Sequence, residues 1–257
     1  MTDRAWNGPK VIPHAQFGEK LASVYDNMYP YIEIDTQHTV ELFKQLCPPP
    51  ARVLELGVGT GRVALPLAEL GYRVHGIDGS PAMLDRLRAR DPDGRVTTQL
   101  GDFTATTTGE RYDLVVVLLN TFFSAVTKDQ QLSCLRHVRE QLAPSGRFVV
   151  EVFDPTPFHS QTQPSFSVRH LGDQGVMLDM LTVDRAQQLM VGVHTILDGG
   201  KPETVQHVLR YAFPFELDLL AAACGLHLEH RWAGFTREPF TAASHRHVSV
   251  YRAADAS

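Results

Sequence analysis

The stretch Val53-Leu54-Glu55-Leu56-Gly57-Val58-Gly59-Thr60-Gly61-Arg62 constrains this chain more than any other. An apolar strand runs into a turn with glycine at every second position, and a helical pattern follows at once. Glycine has no Cβ, so a backbone of this kind can pass close to a small polar ligand. The next apolar run, Tyr72 to Ile77, closes on Asp78. An acid about 20 residues beyond the glycines is where a nucleotide-binding α/β unit holds its ribose hydroxyls. These features predict an adenosine-containing ligand on a strand–turn–helix unit.

The order of the glycines narrows that ligand. A dinucleotide fingerprint reads G-x-G-x-x-G, its third glycine packing helix on strand. Here the order is G-x-G-x-G, and Arg62 stands where that third glycine belongs. The phosphate loop G-x-x-x-x-G-K-[ST] is absent. Glu55, two residues before the first glycine, places negative charge beside the turn. That repels a pyrophosphate, disfavouring nicotinamide redox chemistry, and suits a ligand with an ammonium group. S-adenosylmethionine (SAM) carries an ammonium, a sulfonium and a ribose, and no phosphate.

From Arg52 the chain alternates strand and helix, the pattern of a mostly parallel sheet covered on both faces. Strands are expected at Arg52 to Leu56, Arg73 to Ile77, Val96 to Leu100, Leu114 to Leu118 and Arg147 to Phe153. Helices are expected at Gln16 to Met28, Asp35 to Leu46, Gly61 to Leu70, Pro81 to Arg90 and Lys128 to Leu142. Ser80 is a natural N-cap with Pro81 at the first helical position. From about Ser165 the pattern becomes antiparallel, with strands at Gly175 to Asp184, Ala186 to Leu197 and Glu203 to Phe213. Asp198-Gly199-Gly200-Lys201 makes a hairpin turn between the last two. A helix from Pro214 stops at Gly225, and strands Leu226 to Trp232 and His245 to Tyr251 close the chain.

In four ordered features the chain resembles the class I SAM-dependent methyltransferases. These are E-x-G-x-G-x-G from Glu55, the acid Asp78, Asp102-Phe103 after the third strand, and a fourth strand ending at Asn120. The resemblance runs from Tyr25 to Tyr251 and is most specific in the cofactor half. In the acceptor half the chain is similar to bacterial small-molecule enzymes, the sugar-amine N-methyltransferases and glycine N-methyltransferase-like enzymes. It implies an α/β fold: a Rossmann-like, seven-stranded, mostly parallel sheet with helices on both faces. An antiparallel β-insertion is expected between strand five and the last helix. The segments implied are a helical lid over residues 1–50, a SAM-binding core over 51–160, an insertion over the acceptor pocket at 161–213, and a final helix and hairpin over 214–257.

The resemblance also implies residue roles. Gly57 and Gly59 approach the methionine and ribose portions, Glu55 sits near the ammonium, and Asp78, followed by Gly79, accepts the ribose hydroxyls. Met83 packs on the adenine, Asp102 takes its amino group, and Phe103 adds a backbone donor and an apolar wall. Leu119 and Asn120 lie beside the methionine chain, and Tyr25 closes over SAM. The D/N-P-P-Y/F motif of nucleic-acid and protein amide methyltransferases is missing; Leu118-Leu119-Asn120-Thr121-Phe122-Phe123 stands in its place. That argues against adenine or glutamine nitrogen as acceptor.

Methyl transfer from a sulfonium needs alignment, exclusion of water and, for a protonated acceptor, removal of one proton. Glu151, His170 and His245 are the catalytic candidates, with His14 and Tyr29 beside them; Glu151 lies where ligands of open α/β sheets gather. A structural role competes for each. Trp6, Tyr29, Tyr31, Phe122, Phe123 and Phe240 are candidate walls of an acceptor pocket, with core packing as the alternative. No convergent ligand set points to a metal. The expected activity is methyl transfer to O, N or C of a small molecule, with S-adenosylhomocysteine as product. A SAM protein that catalyses a cyclisation or rearrangement, or that only binds, is the alternative.

A chain of 257 residues with 43% hydrophobic content is long enough for such a domain and its insertion. The net charge is −5 and no Lys/Arg cluster occurs, so neither nucleic acid nor a membrane surface is expected as partner. A small-molecule acceptor is expected, and a homodimer is compatible with the chain. Met1 to Lys10 hold no apolar signal core, and the longest apolar run, Leu114 to Leu119, is too short to span a bilayer. Cys47, Cys134 and Cys224 are scattered, which reads as reduced thiols in a cytoplasmic protein.

Overall fold

The computed structural model describes residues 32–171 and 175–253, with the side chains of 32–34 left aside. The helix Gln16 to Met28, Tyr25, His14, Tyr29, Tyr31 and Trp6 lie outside the described residues.

The strands are β1 (Arg52–Leu56), β2 (Arg73–Asp78), β3 (Val96–Leu100), β4 (Tyr112–Val117), β5 (Leu142–Phe153), β6 (Ser165–Leu171), β7 (Gly175–Asp184), β8 (Leu189–Leu197), β9 (Glu203–Arg210), β10 (Leu226–Trp232) and β11 (Arg246–Ala253). Seven of them form one sheet in the order β10-β11-β5-β4-β1-β2-β3. Pairing is parallel from β3 to β5, and β11 is antiparallel to both its neighbours. The order reverses between β1 and β4, which opens a crevice at their carboxyl ends.

Apolar residues alternate between the two faces of this sheet. Leu54, Leu56, Val115, Val117 and Phe148 enter one core cluster, whereas Val53, Leu114, Val116 and Val149 enter the other. Central strands buried on both faces read as unbroken apolar runs rather than alternating ones. Each fully buried aliphatic or aromatic side chain contributes roughly 1.5–3 kcal/mol of transfer free energy.

The helices lie close to their expected bounds at Ile32–Leu46, Pro81–Arg90, Lys128–Gln141 and Pro214–Ala223. Ser80 caps the second of these through Met83 N–H, and Thr127 and Gln130 build a capping box on the third. The helix after the glycine turn begins at Ala64, not Gly61. Gly57, Gly59 and Gly61 all have positive φ, which a right-handed helix cannot contain.

The insertion is a separate four-stranded antiparallel sheet in the order β6-β7-β8-β9. It has one strand more than the three expected, because β6 pairs along its whole length with β7. β8 starts at Leu189 instead of Ala186, since Asp184 caps the turn through the N–H groups of Ala186 and Gln187, and Gln188 takes a φ of 57°. β9 ends at Arg210 rather than Phe213. Met190 and Leu209 enter the first core cluster, and Leu181 and Val183 pack against it, so one face of this sheet is turned toward the main sheet.

His247 on β11 is wholly buried, with Nδ1 at 2.9 Å from Ser249 Oγ and no hydrogen-bond partner at Nε2. Burial, with the nearby Arg231 cation, pushes its pKa down to about 3 from 6.5. The folded imidazole therefore stays neutral where the unfolded one takes up a proton. Stability contributed by neutral His247 is complete above about pH 6.5 and is lost as pH falls from there toward about 3, by up to about 1.4 kcal/mol per unit. Urea unfolding at pH 7 and pH 5 is expected to show a loss of about 2 kcal/mol from this group, and His247→Gln should flatten the dependence. Equal slopes in both proteins would contradict the assignment.

Candidate active site

The glycine turn is bound down along its length. Gly57 and Val58 donate to Ile77 O at 2.8 and 3.1 Å, which lays the turn over the end of β2. Asp78 then takes Gly59 N–H on Oδ2 at 2.8 Å and Ser80 N–H on Oδ1 at 2.9 Å. One carboxylate thus ties the turn after β1 to the helix start after β2.

The glycines of this turn do different work. At Gly57 (φ 75°) a Cβ would collide with the side chain of Thr121, so this glycine makes room for the turn after β4. At Gly59 (φ 55°) a Cβ would meet no atom of the described residues within 4 Å, so among them the space over that residue is open. Gly76 in β2, not singled out from the sequence, has Val58 packed where its Cβ would stand.

Glu55 is wholly enclosed under this turn. Its Oε2 is buried without a hydrogen-bond partner, and burial pushes its pKa up to about 8, against the pull of Arg62. Arg62 Nη1 donates to Thr36 Oγ1 at 3.0 Å on the helix Ile32–Leu46. Arg246 grips the same helix through Asp35, with two bonds of 2.7 and 3.0 Å. The Arg246 hydrogen bond holds Asp35 below its usual range. Neither Asp35 nor Arg246 carries a motif, so their part in clasping this helix was invisible in the sequence.

The tip of β4 is strained. Leu119 and Asn120 both take left-handed φ values, 49° and 63°, ahead of a 3-10 turn at Thr121–Ser124. Such conformations in non-glycine residues cost of order 1–3 kcal/mol each and persist where neighbours over-determine them. Glu151 supplies much of that determination. Its Oε2 accepts Leu119 N–H at 2.7 Å and its carbonyl accepts Asn120 N–H at 3.2 Å, while Asn120 Oδ1 accepts Phe153 N–H at 2.7 Å. Glu151 is buried, which raises its pKa, although the Leu119 N–H and Arg246 oppose the rise.

Met83 is buried on the helix Pro81–Arg90, and Gly79 is half-buried beside Asp78. Asp102 is exposed; its Oδ1 takes the backbone and hydroxyl donors of Thr104, fixing the loop that carries Phe103 onto the core. Glu55, Gly59, Asp78 and Ser80 thus converge at the β1–β2 tips, and Leu119, Asn120 and Glu151 at the β4–β5 tips. His170 is exposed on β6 of the other sheet, opposite Val176. His245 is exposed just before β11, where its carbonyl accepts Asp154 N–H. Phe122 and Phe123 are wholly buried in the core, the packing alternative, and Phe240 meets His247 edge-on.

Known proteins match this architecture. A family model described as a methyltransferase domain matches residues 53–146. The chain is 30% identical over 199 residues to the cypemycin N-terminal methyltransferase of a Streptomyces species, covering 77% of this chain and 81% of that one. The solved structure of the CcbJ methyltransferase from Streptomyces caelestis superposes with a TM-score of 0.88 at 38% identity, over 95% of this chain and 100% of that one. SAM-bound CalS10 from Micromonospora echinaspora, an amino pentose methyltransferase, shares the fold at 20% identity, with a TM-score of 0.68 over 89% and 94% of the two chains. With the glycine turn, Asp78 and the seven-stranded order in place, this chain belongs to the class I SAM-dependent methyltransferases.

Proposed function

We propose that this protein transfers the methyl group of SAM to the amine nitrogen of a small molecule, a specialised metabolite. The observation that carries the choice of nitrogen is the similarity, over most of both chains, to an enzyme named for methylating an N-terminus. When bound, SAM supplies a methyl group on an activated sulfonium.

The residues present fit that cofactor. The orphaned, buried Glu55 Oε2 suits an ammonium, and the open space over Gly59 is a cradle that a Cβ would fill. In this reading Asp78 receives the ribose hydroxyls beside its two backbone donors, and Gly57, Gly79 and Met83 shape the adenosine side. Asp102 and Phe103 bound the adenine, and Leu119 and Asn120 flank the methionine chain. Tyr25 belongs to the same reading. Glu151 acts through the β4 tip, which it holds in its left-handed form, and His245 stays a candidate for contact with the acceptor, whereas His170 lies on the outward face of β6, opposite Arg169. The four-stranded sheet covers the acceptor, keeping water from the transfer.

The Glu55 assignment has a proton balance. Free Glu55 holds a proton below about pH 8. An ammonium beside it favours the carboxylate, so SAM binding at pH 7 should release a fraction of a proton, with affinity rising as pH approaches 8. Calorimetry in buffers of different ionisation enthalpy should show this release in the wild type and none in Glu55→Gln. Binding without proton release in the wild type would contradict it.

The activity is tested with methyl-labelled SAM and three amines: trialanine, D-glucosamine and pyrrolidine. Label is expected on the nitrogen of at least one. Transfer to oxygen or carbon acceptors alone would overturn the nitrogen assignment.

A further inference from the structure

One side chain from each strand of the insertion joins a single hydrogen-bonded row. Arg169 of β6 binds Asp179 of β7 through two bonds, 2.6 and 3.1 Å. Asp179 Oδ1 meets His194 Nδ1 of β8 at 2.5 Å, and His194 Nε2 meets His207 Nδ1 of β9 at 2.9 Å. The two imidazoles are parallel to within 1°. Gly192 lies under His207, where any Cβ would collide with the ring. A glycine in the middle of a strand is unfavourable, and here it seats this histidine.

The row has a direction. Burial alone would raise the pKa of Asp179, but its bonds to Arg169 and His194 outweigh that and hold the carboxyl below its usual range. An ionised carboxylate only accepts, so His194 carries its proton on Nδ1. In the neutral pair His194 Nε2 is then the acceptor and His207 Nδ1 the donor. That makes His207 Nε2 the lone-pair atom, the point at which the row takes up a proton.

The row is on the face turned toward the main sheet. Gly192 and His207 are paired, as are Met190 and Leu209 one rung away on the same face, and Met190 and Leu209 enter the core. His207 is two residues, about 7 Å, along β9 from Leu209. β9 also packs on the Thr121–Ser124 turn that continues from Asn120, and Gln131 and Arg210 clamp its end.

We propose that His207 is the group that takes the acceptor's proton, and that Asp179 and His194 are positioning residues acting through it. The inference rests on the amine reading above. In the step, an N–H bond of the acceptor breaks and its electron pair stays on nitrogen. The proton forms a new N–H bond at His207 Nε2, and the resulting charge is shared with His194 and balanced by Asp179. Among the described residues, the charged or titratable groups joined to His207 in this row are Arg169, Asp179 and His194.

The test uses the full chain with SAM and whichever of trialanine, D-glucosamine and pyrrolidine the wild type methylates fastest. His207→Gln and Asp179→Asn are expected to lower kcat about a hundredfold with SAM affinity unchanged. In Asp179→Asn the acid limb of the kcat profile should also move to lower pH by about one unit, because the carboxylate no longer stabilises the cationic row. Imidazole added to His207→Ala should restore part of the rate. Folded variants that keep the wild-type kcat and pH profile would overturn the proposal. If the wild type methylates none of the three amines, the nitrogen reading fails by itself. The row is then judged by ¹⁵N-histidine NMR of the SAM-bound protein, where a His207 proton on Nε2 instead of Nδ1 would overturn it.

Discussion

The Asp78 carboxylate holds the site together. By taking Gly59 N–H and Ser80 N–H it joins two strand tips that are neighbours in the sheet but 19 residues apart in sequence. Without that tie, three glycines at positive φ would have no reason to keep one path among the many open to them. With it, the turn sits on Ile77 O, Glu55 is sealed beneath, and the space over Gly59 stays open. The same short acid is thus a structural tie and, in the proposed reading, also the acceptor of the ribose hydroxyls.

A second level of organisation rests on this tie. Thr121 occupies the place that a Cβ on Gly57 would need, so the glycine turn and the β4 tip fit only together. The β4 tip is in turn fixed by Glu151, and Glu151 also receives Arg246 at 3.4 Å. Arg246 reaches Asp35 on the first described helix. A chain of contacts therefore runs from that helix, through the half-buried Asp35, Arg246 and the buried Glu151, to the strained residues at the crevice.

Much of this was legible in the sequence, for identifiable reasons. The central strands could be read because both of their faces are buried, so β1 and β4 appear as apolar runs. Ser80-Pro81 marked a helix start because the cap and the proline each carry a local mechanism. The glycine spacing, with Glu55 and Asp78, pointed to the cofactor from local geometry alone. The edges were less legible. Gly61 looked helical by its neighbours although its φ of 85° excludes it, and β6 was not resolved as a strand because its exposed Phe166 and Val168 break any inward alternation. The row from Arg169 to His207 was unreadable in principle, since four residues on four strands meet only through the register of the insertion. The roles of Arg246 and Asp35 were hidden likewise by a separation of 211 residues.

The account depends most directly on the open space over Gly59. No atom of the described residues lies within 4 Å of a Cβ built there, so Gly59→Val should cost only the strain of a positive φ, roughly 1–2 kcal/mol. Titration calorimetry of that variant with SAM, beside its far-UV circular dichroism, separates fold from ligand. A near-native spectrum with SAM binding abolished is the predicted result. A folded variant that binds SAM as tightly as the wild type would contradict the placement of the cofactor on this turn.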